Sequence, residues 1–588
     1  MNNRDSSSRW TRHLKRLVPA LEWLPSYTRE QLTGDLIAGI IVAVMLVPQG
    51  MAYAMLAGLP PQAGLYASIV PLVIYGLMGT SRPLSVAPVA IISLMTATTI
   101  APLAEEGSAD YLTLALTLAL LSGLIQVGMG FMRAGILVAF LSHPVLSGFI
   151  NAAALVIMAS QARHFLGVDI PGDTFVEQAW SLVQNIADLH VPTVLLGLIS
   201  LMILLYFKSY ATPHLTAAGI SRGIAGHIAR AGTLFTVAGA TLAVWIFGLD
   251  RNASIAITGE IPSGLPGLTM PDLGPDVLLQ LLPSAFVISL VGFMESVSVA
   301  KTLASRKREK IEPDQELVAL GAANLGAAFS GGFPVTGGLS RSVVNDSAGA
   351  RSGMASIFTG AIVLLTVLVL TPLFTYLPRA TLAAVVLVAV LGLLETRTLR
   401  RALAYNRPDV VALLVTFITV LVMGIEIGIA AGVVTSIVFF LWHTSQPHTA
   451  ELGRIPGTGI FRNVRRHSTD VDPAILIIRV DENLYFANAN RLEQTILDAV
   501  AQRDELSNLV LVGSAINSID TSALETLEEL AIRLQLAGVH THLAAFKGPI
   551  LDRLQHTHLM QLIGSHRIHL TTADAVNAIQ QARSSSDE

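Results

Sequence analysis

Two side chains in this sequence are hard to explain by packing alone: Glu295 and Arg341. Each lies among long apolar runs, where an ionisable group is costly and marks a functional site by default. Glu295 sits in the middle of the run Ser289–Val299, so it needs either a proton or a cationic partner, and Arg341 is the obvious cation. Arg341 belongs to the stretch 331–346, which holds four glycines and Pro334 and cannot run as one continuous spanning helix. Irregular backbone at membrane depth is tolerated only where protein buries it or where it lines a wet cavity. The pattern predicts a short extended piece over about Phe333–Gly338, then a half-helix starting near Leu339. The free N–H groups and positive dipole end of that half-helix form an anion site. The competing reading is a purely structural Glu295–Arg341 pair.

A second stretch, 79–90, answers the first. It is also broken by glycine and proline before turning apolar through Met95, and Pro88 fits a first helical turn. A pair of broken apolar segments in corresponding places of two halves points to a transporter binding site; the alternative is two ordinary loops.

The elements that must hold these stretches are membrane spans. Of 588 residues, 52% are hydrophobic and 13% charged, against about 25% charged in a typical soluble protein. Mean hydropathy is +0.61. Apolar runs centre on 36–56, 63–79, 88–101, 111–130, 135–159, 191–207 and 232–248, then on 278–299, 315–331, 339–348, 353–376, 380–394, 409–422 and 425–443. The third member of each set is too short for the roughly 20 residues a bilayer core requires. Even-numbered connections are basic: Arg82, then Arg133, then Lys208, Arg222 and Arg230, then Lys301 to Lys310, Arg351, and Arg397 to Arg407. Odd ones are mostly acidic or neutral, including Glu105, Glu106, Asp110, Asp169, Asp173 and Glu177, with Arg163, Arg251 and Arg379 as exceptions. This asymmetry predicts an even number of spans with both termini cytoplasmic.

Residues 1–33 are polar and basic, carrying Arg4, Arg9, Arg12, Lys15, Arg16 and Arg29, and show no signal peptide. The amphipathic piece Leu14–Leu24 suits either membrane lipid at the inner surface or a solvated lead-in. Residues 446–472 read as a polar linker with Pro447 and Pro456. From 473 to 588 strands alternate with helices: strands at Ala474–Val480, Leu509–Val512 and Thr541–Ala545, helices at Asn488–Arg503, Ser522–Ala537 and Thr572–Arg583. That spacing predicts a mostly parallel sheet. The chain has no cysteine and no metal-ligand spacing, so neither disulfide nor metal is expected. No Walker loop is present, and neither nucleotide hydrolysis nor any other enzyme activity is expected; nor is a nucleic-acid partner. Six histidines, His540, His542, His556, His558, His566 and His569, gather in the soluble domain and read as surface residues, some titrating near neutral pH.

Pro48-Gln49-Gly50-Met51-Ala52-Tyr53-Ala54, continuing through Gly58-Leu59-Pro60-Pro61 and Gly64-Leu65-Tyr66, resembles the signature of the SulP family of sulfate permeases and anion exchangers, and 79–90 continues it. The resemblance covers about 30–445. Asn517-Ser518-Ile519-Asp520-Thr521-Ser522-Ala523-Leu524 resembles the loop-to-helix motif of a STAS domain. The resemblance implies a polytopic helical membrane protein of 14 spans in a 7+7 inverted repeat like that of uracil permeases. A core (about 34–131 and 277–376) would carry substrate against a gate (about 132–250 and 377–445). Substrate would bind at Gln49, Tyr53, Ala87, Val89, Leu339, Ser340 and Arg341. Gln49 and Tyr53 are four apart and share a helix face. The family usually has glycine where this chain has Ala87, which places anion size in question. Glu295 matches the proposed proton carrier of proton-coupled members. In sodium-coupled bicarbonate carriers an acid and a nearby hydroxyl hold the cation, and the hydroxyl's position is Val299 here, which weakens sodium coupling. Ser522 matches the phosphorylated serine of anti-sigma antagonists, although Asp520, Thr521 or Ser522 would each cap the next helix. The function implied is proton-coupled sulfate symport with no cofactor beyond the coupling proton, in a homodimer of a bacterial inner membrane. Dicarboxylate or bicarbonate transport, an uncoupled channel, and a membrane-anchored regulator whose STAS domain binds a cytosolic partner are the alternatives.

Overall fold

The computed structural model describes residues 15, 17–136, 142–172, 174–262, 264–265, 267–307 and 309–586. The expectations for Arg4, Arg9, Arg12, Arg16, Asp173 and Arg308 lie outside the described residues. The chain divides into two units, Met1–Ser436 and Ile437–Glu588.

The first unit is helical. Its elements are α1 (Arg29–Leu56), α2 (Pro61–Tyr66), α3 (Val70–Met78), β1 (Val86–Ala87), α4 (Ala90–Ile100), α5 (Ala109–Phe131), α6 (His143–Leu166), α7 (Val191–Ser209), α8 (Arg222–Arg230) and α9 (Gly232–Phe247). The series then repeats as α10 (Pro275–Lys307), α11 (Pro313–Phe329), β2 (Thr336–Gly337), α12 (Leu339–Ser347), α13 (Met354–Leu365), α14 (Arg379–Leu391), α15 (Arg407–Met423) and α16 (Ile425–Thr444), the last crossing the boundary between the units at Ser436. Among the described residues eight helices are long and apolar enough to cross a membrane, or nine if α8 and α9, bent by 49° at their junction, form one span. Each of the fourteen apolar runs carries a helix. Those at the two broken stretches, α4 and α12, are 11 and 9 residues long. At 1.5 Å per residue the shorter reaches roughly 14 Å, about half a hydrocarbon core.

The polarity of the outer helices is that of a protein in lipid. On α7, Leu195, Ile199 and Met202 are exposed, whereas Thr193, Gly197 and Ser200 are buried. Small and hydroxylated residues face protein because they let helices approach and hydrogen-bond, while apolar side chains face lipid at no cost.

Two groups of helices emerge from the packing. In one, α1 packs on α13, α3 on α11 and α13, and α5 on α10 and α11. In the other, α6 packs on α14 and α15, and α7 on α9 and α14. Gly428 and Gly432 bring α16 against α15 and α6. The face on which α1 begins is the near face, and that on which it ends is the far face. Gly107 N–H bonds the Gly58 carbonyl and the Tyr111 hydroxyl bonds that of Ala57, so the connection from α4 to α5 is on the far face. The Asp272 N–H donates to Thr117 near the start of α5, which puts the start of α10 there too. Arg163, near the end of α6, meets Glu106 on the same face, and α7 therefore runs back to the near face.

The segment before α1 is tied to the unit, with Leu21 and Leu24 left exposed. Gln315 donates to the Leu17 carbonyl at 3.0 Å and Ala20 is buried.

In the second unit a six-stranded sheet has the order β4-β3-β5-β6-β7-β8. The strands are β3 (Thr449–Arg454), β4 (Phe461–Asn463), β5 (Ile475–Val480), β6 (Asn508–Val512), β7 (His540–Ala544) and β8 (Ile568–His569), and the interleaved helices include α17 (Ala489–Ala501), α18 (Thr521–Leu536) and, last, α19 (Thr572–Ser586). β5 to β8 pair in parallel, as the spacing predicts. The expected linker 446–472 instead supplies β3 and β4, antiparallel additions to the sheet. Alternation explains this, since Ala450 and Leu452 are buried on one face of β3 while Thr449, Glu451 and Arg454 are only half-buried. The proline and glycine content of the surrounding turns had hidden it.

Candidate functional site

The site forms where the two broken stretches meet. β1 and β2 pair antiparallel, Val86 opposite Gly337 and Ala87 opposite Thr336, so the half-helices that follow start side by side. Every nearby extended residue must find partners for its N–H and C=O without water. Asn324 supplies two, accepting from Val335 N–H at 2.8 Å and donating to its carbonyl at 3.1 Å. Ser296 accepts from Gly337 N–H at 2.8 Å, and Thr336 donates to the Gly292 carbonyl at 2.5 Å. Ser85 N–H donates to Ser342 at 3.0 Å. Neither half-helix is capped by the side chain of the residue just before it, Val89 or Gly338. Their first-turn N–H groups stay available to an anion.

Helix α1 brings the side chains that complete the site. A reciprocal cap starts it: Gln31 N–H donates to Thr28 Oγ1, and Thr28 N–H donates to the Gln31 side chain at 2.8 Å. Pro48 cannot donate to the Val44 carbonyl, which loosens the ladder one residue before Gln49. An added Cβ on Gly64 would lie 1.9 Å from the Gly50 carbonyl oxygen, so α2 presses backbone to backbone on the turn carrying Gln49.

Gln49, Leu339 and Ser340 line one cavity of about 660 Å³. The rest of its wall comes mainly from the second group of helices and includes Lys208, Arg222, Arg230 and Thr233. No carboxylate is among its described lining residues. Lys208 ends α7, so this mouth is on the near face. Its three cations were legible in the sequence as topology signals, and only the fold shows that they face one cavity.

Tyr53 lies one turn deeper along α1, buried, with Ala87 and Val89 likewise buried. None of these lines the cavity, and neither do Arg341 and Glu295. Arg341 is 2% exposed and donates to the Pro88 carbonyl at 2.8 Å and the Ala87 carbonyl at 3.1 Å, leaving its Nε unpartnered. The expected Glu295–Arg341 ion pair is not formed. The guanidinium is turned to the carbonyls that precede α4, because β1–β2 pairing sets those carbonyls beside it. Glu295 still feels the Arg341 charge, but its Oε2 is buried with no hydrogen-bond partner.

Two buried carboxylates that the sequence reading passed over tie down the connections to these stretches. Glu316 accepts from Tyr75, from the Thr80 N–H and hydroxyl, and from Ser81 N–H. Asp35 accepts from the N–H groups of Arg351 and Ser352, from the Ser352 hydroxyl and from Tyr27. Both stand at the head of an apolar run, next to polar residues, and so lack the mid-run placement that singled out Glu295.

In the second unit Asp520 caps α18, accepting from Ala523 N–H at 2.8 Å and from Phe486 N–H at 2.9 Å. Ser522 is exposed and accepts at its carbonyl from Thr526. His542 is not a surface residue. It is 8% exposed, stacked on His569 with a 3.1 Å nitrogen contact, and bonded to Asn508. Burial, with the neighbouring His569, pushes its pKa down to about 4.

The sulfate permease family profile matches residues 32–416, and a STAS domain matches residues 466–575. A probable sulfate transporter 4.2 of Arabidopsis thaliana is 34% identical, covering 97% of this chain and 86% of its own length. A probable sulfate transporter of Mycobacterium tuberculosis is 34% identical over 96% of this chain and 98% of its own. The murine Solute Carrier 26 family member A9 anion transporter, solved in the inward-facing state, superposes with a TM-score of 0.87 at 25% identity, covering 96% of this chain and 94% of that one.

Proposed function

The chain belongs to the sulfate permease family and is a multi-pass anion transporter, and from that premise we propose that it imports sulfate together with a proton. The observation that carries this reading is the cavity at the paired half-helices. It offers the Gln49 amide, the Ser340 hydroxyl, three cations and no carboxylate. A tetrahedral dianion accepts hydrogen bonds on every side, and a wall with three cations and no carboxylate favours it over cations and neutral solutes. Leu339 stands in the cavity wall, Tyr53, Ala87 and Val89 pack buried outside its lining, and Arg341 holds the local field positive while bracing β1. Glu295, with its unpartnered oxygen, takes the proton. Neutralising it beside a bound anion removes a repulsion, so proton and anion bind with positive coupling.

Transport follows when one group of helices moves against the other and carries the site between the faces. The basic connections Arg82, Lys208 and Arg351 support a cytoplasmic near face, with both termini inside a bacterial inner membrane. A homodimer, and a STAS domain that meets a cytosolic partner through or near Ser522, belong to the same reading. The cavity of about 660 Å³ has room for larger anions, which keeps dicarboxylates and bicarbonate as a second reading.

The test is labelled sulfate uptake by the purified protein in liposomes, competed with succinate and bicarbonate. Sulfate itself competes best, and Gln49→Ala or Ser340→Ala raises its apparent KM by about tenfold, the loss of a charged-acceptor hydrogen bond. Stronger competition by succinate, or an unchanged KM in both variants, sinks the sulfate assignment.

A further inference from the structure

We propose that Glu426 is a far-face latch, holding the two helix groups together on the side opposite the cavity and thereby setting how often the site opens there. Glu426 is the second residue of α16, in the second group. Its Oε1 receives the Ser284 hydroxyl of α10, a helix of the first group, at 2.5 Å, and lies 3.1 Å from the hydroxyl of Thr99, which shares its hydrogen with the Met95 carbonyl at 2.7 Å; Thr99 belongs to α4, which packs on α1, α5 and α10. Ser284 is buried and Glu426 half-buried, so water does not freely replace these bonds. Thr99 lies at the far-face end of its half-helix, the one whose start builds the anion site. A second link between the groups lies on the same face: Arg163 of α6 meets both Glu106 oxygens at 3.1 and 3.3 Å. The near face instead carries the open cavity.

The inference rests on the alternating-access reading. Opening the site to the far face requires α16 to part from α4 and α10, which breaks both bonds to Glu426. Closing it re-forms them. The latch therefore contributes to the near-open state alone, and removing it shifts the population toward the far-open state. The Ser284 hydroxyl, reinforced by the shared hydrogen of Thr99, makes the contact specific to the closed arrangement, whereas lipid-facing packing on the rest of α16 is unaffected.

Hydrogen–deuterium exchange of the full-length protein in lipid nanodiscs tests this without depending on the substrate. In Glu426→Ala, exchange rises about fivefold or more across 95–104 and 278–286, the effect of one lost net hydrogen bond on an opening equilibrium. In the same variant it falls across the cavity wall at 204–212 and 226–233. That reciprocal change on the other face is what a merely structural role would not produce. Ser284→Ala leaves the carboxylate in place, moves the same segments in the same directions by less, and replaces Glu426→Ala as the test should the latter misfold. Exchange that changes only within 425–430, or rises on both faces together, overturns the latch. Reciprocal exchange without any change in sulfate flux upholds it and instead contradicts the sulfate reading.

Discussion

Glu316→Ala is expected to loosen the site from a distance. Glu316 has no exposure and no part in the cavity. Its Oε1 holds Thr80 N–H at 2.7 Å, the Thr80 hydroxyl at 2.5 Å and Ser81 N–H at 3.1 Å, while Oε2 holds the Tyr75 hydroxyl at 2.7 Å. Thr80 and Ser81 begin the connection into β1, so these bonds anchor the extended piece on which the half-helix stands. Thr80 is half-buried and water can replace its bonds; Ser81 and Tyr75 are buried. Leaving a buried donor unmade costs about 1–3 kcal/mol, so the two together cost about 2–6 kcal/mol. Glu316→Gln retains one carbonyl oxygen for the three Oε1 bonds, and the Tyr75 hydroxyl can turn to accept from the new amide, so its loss stays under about 2 kcal/mol. The assay is thermal unfolding of the detergent-solubilised protein, followed by size exclusion, for wild type and both variants. A clear drop for alanine with a small one for glutamine is expected. Equal melting of alanine and wild type, or a glutamine variant as unstable as the alanine one, refutes the bonding argument.

Other residues give sharper local expectations. Gly64→Ala forces a Cβ onto the Gly50 carbonyl, so the turn carrying Gln49 must shift; sulfate affinity falls even where the protein remains folded, as binding isotherms would show. Asp520→Ala removes the cap of α18 and costs about 1–2 kcal/mol, whereas Ser522→Ala, exposed and uncapping nothing, leaves melting unchanged. His542 is held neutral by burial, its folded pKa near 4 lying below the ordinary 6.5. The unfolded state therefore binds the extra proton first, so the stabilisation is full above pH 6.5 and fades as pH falls toward 4, by on the order of 2 kcal/mol. Protection factors at β7 and β8, with the intrinsic pH dependence of amide exchange divided out, should fall from pH 7 to pH 5 in wild type and lose that dependence in His542→Gln.

Much of this was legible in the chain. The half-helix starting at Leu339 was written in four glycines, a proline and an arginine set among apolar runs, because no lipid-facing helix tolerates that mixture. Helix α4 was similarly marked by Pro83 and Pro88. Partners across the fold were not legible. Arg341 was expected on Glu295, but β1–β2 pairing, a contact between residues some 250 positions apart, offers it two carbonyls first. Lys208, Arg222 and Arg230 announced a side of the membrane without announcing that they face one cavity. β3 and β4 were hidden by glycine and proline in their turns, although the alternation of Ala450 and Leu452 was present. Glu316 and Asp35 were not legible as buried, because each adjoins a polar, charged stretch at the start of an apolar run, where an acid costs nothing.

The coupling of sulfate to a proton through Glu295 is the central claim, and one recording tests it. Protein in liposomes carrying an internal pH dye is given labelled sulfate on both sides at equal concentration, with an inward proton gradient as the sole driving force. The account predicts sulfate accumulation with simultaneous internal acidification in wild type, and neither uphill accumulation nor sulfate-dependent acidification in Glu295→Gln, which still exchanges sulfate down its gradient. Accumulation and acidification that persist undiminished in Glu295→Gln would contradict it.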